Sequence, residues 1–243
     1  MCIDRLEQIR ATTIDNNSMN ERLLCLYENC WDEYQKINCT FENQGYELAN
    51  IYLLAASDEY VKAEVKIMCL GKETQCWGGE FADSPTIKEL QQLYTLYTFH
   101  EKGNGAAFQR FVNWIPTISD NIAVIPNNIV KIGKKATNGY YNSVAEVLHS
   151  KINLLKEEIA ILQPSFIICP TSNLERYNKP LCELLGNSVE SVIVDQDGAF
   201  VSVRFYDAFP NTPLIVCPHP QGKSAEQLEL VKDTIFSIIT KTI

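Results

Sequence analysis

Four short apolar runs constrain this chain most: "VKIMCLG" at 65–71, "NIAVIPNN" at 121–128, "PSFIICP" at 164–170 and "PLIVCPHP" at 213–220. Each is rich in β-branched residues and closes on Gly, Asn or Pro, so each reads as a strand. A strand wetted on one face alternates apolar and polar residues. One that is apolar throughout is covered on both faces, which points to a parallel sheet. Helix signals separate the runs. Ser84 and Pro85 supply a cap and a first-turn proline for the helix of 84–101. Ser143 and Glu146 spell a capping box for a helix expected to run to Pro164, and Ser224 with Gln227 repeats the device. After Ser224, the residues Leu228, Val231, Ile235 and Ile238 form one stripe. Strands alternating with helices predict an α/β chain: three layers, α/β/α, around a central and mainly parallel sheet in which the four runs are neighbours. An exception, a hairpin or an antiparallel strand, is expected in "SVIVDQDGAFVSVRF", turning at Asp197-Gly198.

Residues 1–50 read differently. "NERLLCLYENCWDEYQKI" sets Leu23, Leu24, Tyr27, Cys30, Trp31 and Tyr34 on one helical face, so an N-terminal helical extension precedes a domain over 51–243. The charged start "MCIDRLEQIR" has no apolar core of a signal peptide, and no apolar run approaches the roughly eighteen residues of a membrane span. A cytoplasmic protein without membrane contact is expected. The nine cysteines include no CxxC pair, and no spacing matches a zinc or iron–sulfur site. They read as buried reduced thiols, with no metal and no cofactor. The net charge of −9 argues against a strong non-specific DNA binder, because phosphate neutralisation supplies most such affinity.

Ligands of open α/β sheets bind outside the carboxyl ends of the strands. Four stretches should meet there: "GKETQCW", "NNIVKIGKK", "PTSN" and "PHPQGKS". They offer Glu73, Asn127, Asn128, Lys131, Thr171, Ser172, Asn173 and His219, a set able to hydrogen-bond a planar heterocycle and handle a water. A phosphate-binding glycine loop, a nucleophile elbow and a metal-type His/carboxylate cluster are all missing from the set.

Gly71-Lys72-Glu73-Thr74-Gln75 resembles the first active-site motif of the uracil-DNA glycosylase superfamily, a strand ending in G-Q-D-P-Y or G-E-x-P-G. Asn128 followed by Val130-Lys131, Gly105-Ala106-Ala107-Phe108 and His219-Pro220 are similar to further motifs of that family, in the family's order. The resemblance covers Lys66 to the C-terminus. It implies metal-free hydrolysis of the N-glycosidic bond to uracil or a related base flipped out of DNA, single-stranded or duplex, by a monomer that binds DNA weakly and locally.

In that reading Glu73 would orient or deprotonate the water and stabilise the sugar cation. His219 would donate to the oxyanion of the leaving base. Gly71, Asn128, Phe108 and Trp77 would hold the base, with Asn128 on its edge and Phe108 on its face. Lys131, Lys134 and Ser224 would meet phosphates, with Lys135 and Lys223 nearby in sequence. Each residue has a plainer role open to it: a solvated carboxylate for Glu73, turn capping for Asn128, core packing beside Phe111 for Phe108. Two other functions stay open: a relative that binds a base, nucleotide or nucleic acid without catalysis, and an acidic module that meets a basic protein. Lys72, where the family has Gln or Glu, and the acidic charge favour these; Glu73 and His219 favour the enzyme.

Overall fold

The computed structural model of the chain describes residues 2–74, 76–81, 84–103, 105–171, 175–196 and 199–242. Packing divides the protein into two compact units. Met1–Val61, Glu73–Gly103 and Asn128–Leu162 make the first, and Lys62–Lys72, Asn104–Asn127 and Gln163–Ile243 the second. This division differs from a boundary at residue 50, because the first helices share a unit with two later stretches.

Six strands form one sheet: β1 (Val65–Glu73), β2 (Ile122–Val130), β3 (Phe166–Pro170), β4 (Ser188–Gln196), β5 (Ala199–Tyr206) and β6 (Phe209–Cys217). Their order is β2-β1-β3-β6-β5-β4, so the four apolar runs are consecutive neighbours. The α-helices among the described residues are α1 (Cys2–Ala11), α2 (Ser18–Asn43), α3 (Asp58–Lys62), α4 (Ile87–Thr95), α5 (Ala107–Trp114), α6 (Asn142–Lys151), α7 (Leu154–Leu162), α8 (Glu175–Leu185) and α9 (Ala225–Thr242).

In the second unit β1, β3 and β6 run parallel, with Ile67 opposite Phe166 and Ile168 opposite Ile215. β5 runs antiparallel to β6, and β4 antiparallel to β5. The sheet is therefore mixed. β6 begins at Phe209, ahead of the apolar run, because Tyr206 pairs with Phe209 across a tight turn. The predicted hairpin is β4–β5, with Gln196 opposite Ala199; its turn at Asp197-Gly198 lies outside the described residues. Across that hairpin Glu190 faces Arg204 and accepts from its Nε at 2.8 Å.

The core of this unit joins Ile67, Ile168 and Ile215 of the sheet to Phe111 and Val112 of α5 and to Val231, Ile235 and Ile239 of α9. The expected α9 stripe is present, with Ile239 more fully buried than Ile238. Ser224 caps α9 as foreseen: its Oγ accepts from Gln227 N at 3.2 Å, and its own N–H donates to Gln227 Oε1 at 3.1 Å.

The first unit corrects two helix expectations. Thr86, not Ser84, caps α4, in a box with Glu89. The helix expected from Ser143 to Pro164 is two helices, and α6 opens behind Tyr141 with no side-chain cap. Asn153 explains the break, since its Oδ1 accepts from Lys156 N at 3.2 Å and starts α7 afresh. On α2 the buried side chains are Asn20, Leu23, Tyr27, Tyr34, Ile37 and Phe41, while Leu24 faces outward. Cys69, Cys169 and Cys217 are buried thiols, but Cys25, Cys39, Cys76 and Cys182 are exposed. No helix among the described residues is long and apolar enough to cross a membrane.

Candidate functional site

Because β1, β3 and β6 are parallel, their carboxyl ends share one edge of the second unit's sheet. Gly71-Lys72, Thr171 and His219 emerge there. Gly71 is buried inside β1, which does not stop at it but continues to Glu73. Continued strand pairing outweighs the local turn signal of a glycine. Thr171 is fully buried, 3.5 Å from the thiol of Cys169. Ser172 and Asn173 lie outside the described residues.

His219 lies two residues beyond the end of β6, between two buried prolines, Pro218 and Pro220, and is itself half-buried. Its Nδ1 accepts the backbone N–H of Gln221 at 3.2 Å, which puts the proton of the neutral ring on Nε2. Burial, and then the charge of Lys72, push its pKa from 6.5 down to about 4. At neutral pH this imidazole is an uncharged N–H donor. The Lys72 ammonium lies 5.7 Å from the ring centre of buried Tyr177 on α8, where the guanidinium of Arg176 also stacks at 4.8 Å. No motif marks Arg176 or Tyr177 in the sequence; α8 brings them to Lys72 through tertiary packing.

The other two candidates of this unit have roles within its fold. Phe108, the second residue of α5, packs against the apolar core that includes Phe111. Ser224 is the cap of α9.

Glu73, Trp77, Asn128, Lys131 and Lys134 belong to the first unit. Glu73 is half-buried as the last residue of β1. Asn128 is buried inside β2, which runs on to Val130. Lys131 is 2% exposed, and its Nζ lies 2.5 Å from Glu158 Oε2 and 5.7 Å from the ring centre of Tyr52. Glu158, fully buried, also accepts from Tyr27 Oη at 2.9 Å, and Tyr27 Oη in turn accepts from Leu54 N. Burial draws the Lys131 ammonium below its ordinary pKa, against the opposing pull of Glu158. While that pair stands, a phosphate in solvent cannot reach Lys131. Lys134 is half-buried with its Nζ 4.7 Å from the ring centre of Tyr141, and Lys135 is exposed.

Trp77 meets Tyr52 and Tyr97 edge to face, at centroid distances of 4.7 and 5.7 Å. The turn that carries it is clamped to Asn50, whose backbone N–H donates to Trp77 O at 3.0 Å and whose side chain donates to Gly78 O at 2.9 Å. Gly78 has φ +73°, and a Cβ there would lie 2.7 Å from Asn50 Nδ2, so only glycine fits.

No protein-family model and no curated protein matches the chain. Its chemistry therefore has to be argued from its own residues. Among those described, no group of three or more His, Cys, Asp or Glu is placed to hold a metal ion. What the shared edge of β1, β3 and β6 offers is a neutral imidazole with its acceptor nitrogen occupied and a cation close by. Such a pair suits negative charge that develops on a ligand better than it suits proton abstraction.

Proposed function

We propose that the protein is a DNA glycosylase that hydrolyses the N-glycosidic bond of uracil or a related deaminated base without a metal. The observation that carries this reading is the state of His219: uncharged at neutral pH, with Nδ1 accepting from Gln221, so that the ring proton sits on Nε2. In the reaction the bond between the base nitrogen and the sugar carbon breaks, and the base leaves with the electron pair. His219 Nε2–H would bind the oxygen on which that charge accumulates. Glu73, the residue after Lys72 on β1, would take the proton of the water that completes the sugar. The Lys72 ammonium adds a favourable field for the departing anion.

The fate of Phe108 and Lys131 favours a second reading, in which the same edge binds a base or nucleotide without cleaving it. Phe108 is half-buried with its ring against a core, and Lys131 is held in a buried ion pair, so phosphate contacts fall to other residues. Uracil-containing single-stranded DNA, incubated without added metal and assayed for free base, separates the two. The glycosylase reading expects release, slowed on the order of a hundredfold or more by His219→Ala. Binding of the DNA with no release from uracil, hypoxanthine or xanthine substrates favours the second reading.

A further inference from the structure

We propose that the first unit carries a binding site for a free α-amino acid. α2 lays Trp31, Gln35, Asn38 and Glu42 along one face, at helical spacings of four, three and four. These four side chains, with Trp77 and Lys135, line a cavity of about 130 Å³. That is the scale of a small organic molecule, since a cavity of roughly 150 Å³ accommodates one benzene ring.

Four polar side chains of this cavity are unspent. The side chains of Gln35, Asn38, Glu42 and Lys135 have no hydrogen-bond or ion-pair partner among the described residues. Glu42 and Lys135 do not pair with each other, although both line the same concavity. A carboxylate and an ammonium held apart in one pocket match a ligand with the opposite arrangement of charge. An α-amino acid has it: its ammonium would meet Glu42 and the amide oxygens of Gln35 and Asn38, and its carboxylate would meet Lys135. The two indoles supply apolar walls for its side chain. One wall is preformed, because Asn50 and the obligatory Gly78 fix the turn that carries Trp77, so binding loses little to ordering.

The site shares no residue with the proposed chemistry of His219 and Glu73, so failure of one leaves the other standing. Calorimetric titration of the full chain at pH 7 with each of the twenty free amino acids tests it. At least one should bind with a Kd between micromolar and millimolar. The corresponding amine lacking the carboxylate, and the acid lacking the ammonium, should each bind about tenfold more weakly. Glu42→Gln should weaken the amino acid by about tenfold and leave the deaminated acid unchanged. Lys135→Met should weaken the amino acid similarly and leave the amine unchanged. Both positions are exposed, and circular dichroism checks that each variant folds. No binding of any amino acid up to about 10 mM overturns the proposal. So does equal binding of the amine or the acid, or binding that both substitutions leave unchanged.

Discussion

His219 has two causes for staying neutral, first its burial and then the Lys72 ammonium, and each disfavours a second positive charge. Its folded pKa of about 4 lies below the unfolded value of 6.5, so the unfolded chain binds the proton more readily between them. The stability this group contributes is complete above pH 6.5 and is lost as pH falls through that window toward 4. Comparison of wild type with His219→Gln by urea unfolding should show this acid-linked loss in the wild type only. Proton NMR of the imidazole should place its titration near 4, and Lys72→Gln should move it upward. The P-H-P context at a strand end made His219 visible in the sequence. Its protonation state was not visible, because Lys72 and the burying residues reach it only through the fold. Lys131 is the converse case. Beside Lys134 and Lys135 it looks like part of a basic patch, yet Glu158, 27 positions later, takes it into the interior.

At the scale of elements, the helix caps are legible and their positions less so. Ser224 caps α9 where its sequence predicts, while the Ser143 box is absent and Asn153 breaks the helix instead. Ser224→Ala should cost about 1 kcal/mol in unfolding free energy, the usual worth of a serine cap. A loss confined to DNA affinity would assign Ser224 to phosphate binding instead. The ion pair of Lys131 with Glu158 joins the end of β2 to α7, with Tyr27 of α2 as a third member. Lys131→Met alone leaves a buried carboxylate without its cation and should cost about 3–5 kcal/mol. Lys131→Met with Glu158→Leu should recover most of that loss, since a buried pair often does no better than apolar groups of similar volume. Equal destabilisation in the single and double variants would show that packing, not charge, sets the cost.

For the whole molecule, the four apolar runs predicted the neighbours in the sheet because burial on both faces is written into composition. The antiparallel half was only partly legible: the start of β6, with Asn211 and Thr212, looks like loop and becomes strand through pairing with β5. The two compact units were not legible at all, since each is assembled from three separated stretches and no linker marks them. A net charge of −9 leaves little general attraction for DNA, so the proposed base release depends on local chemistry at His219. The pH profile of base release from uracil-containing single-stranded DNA, under single-turnover conditions, tests that dependence most directly. A donor that must be neutral and titrates near 4 predicts release that holds from neutral pH through 6.5 and declines only as pH approaches 4. A decline centred near 6.5, or no release at any pH, would overturn the proposed role of His219.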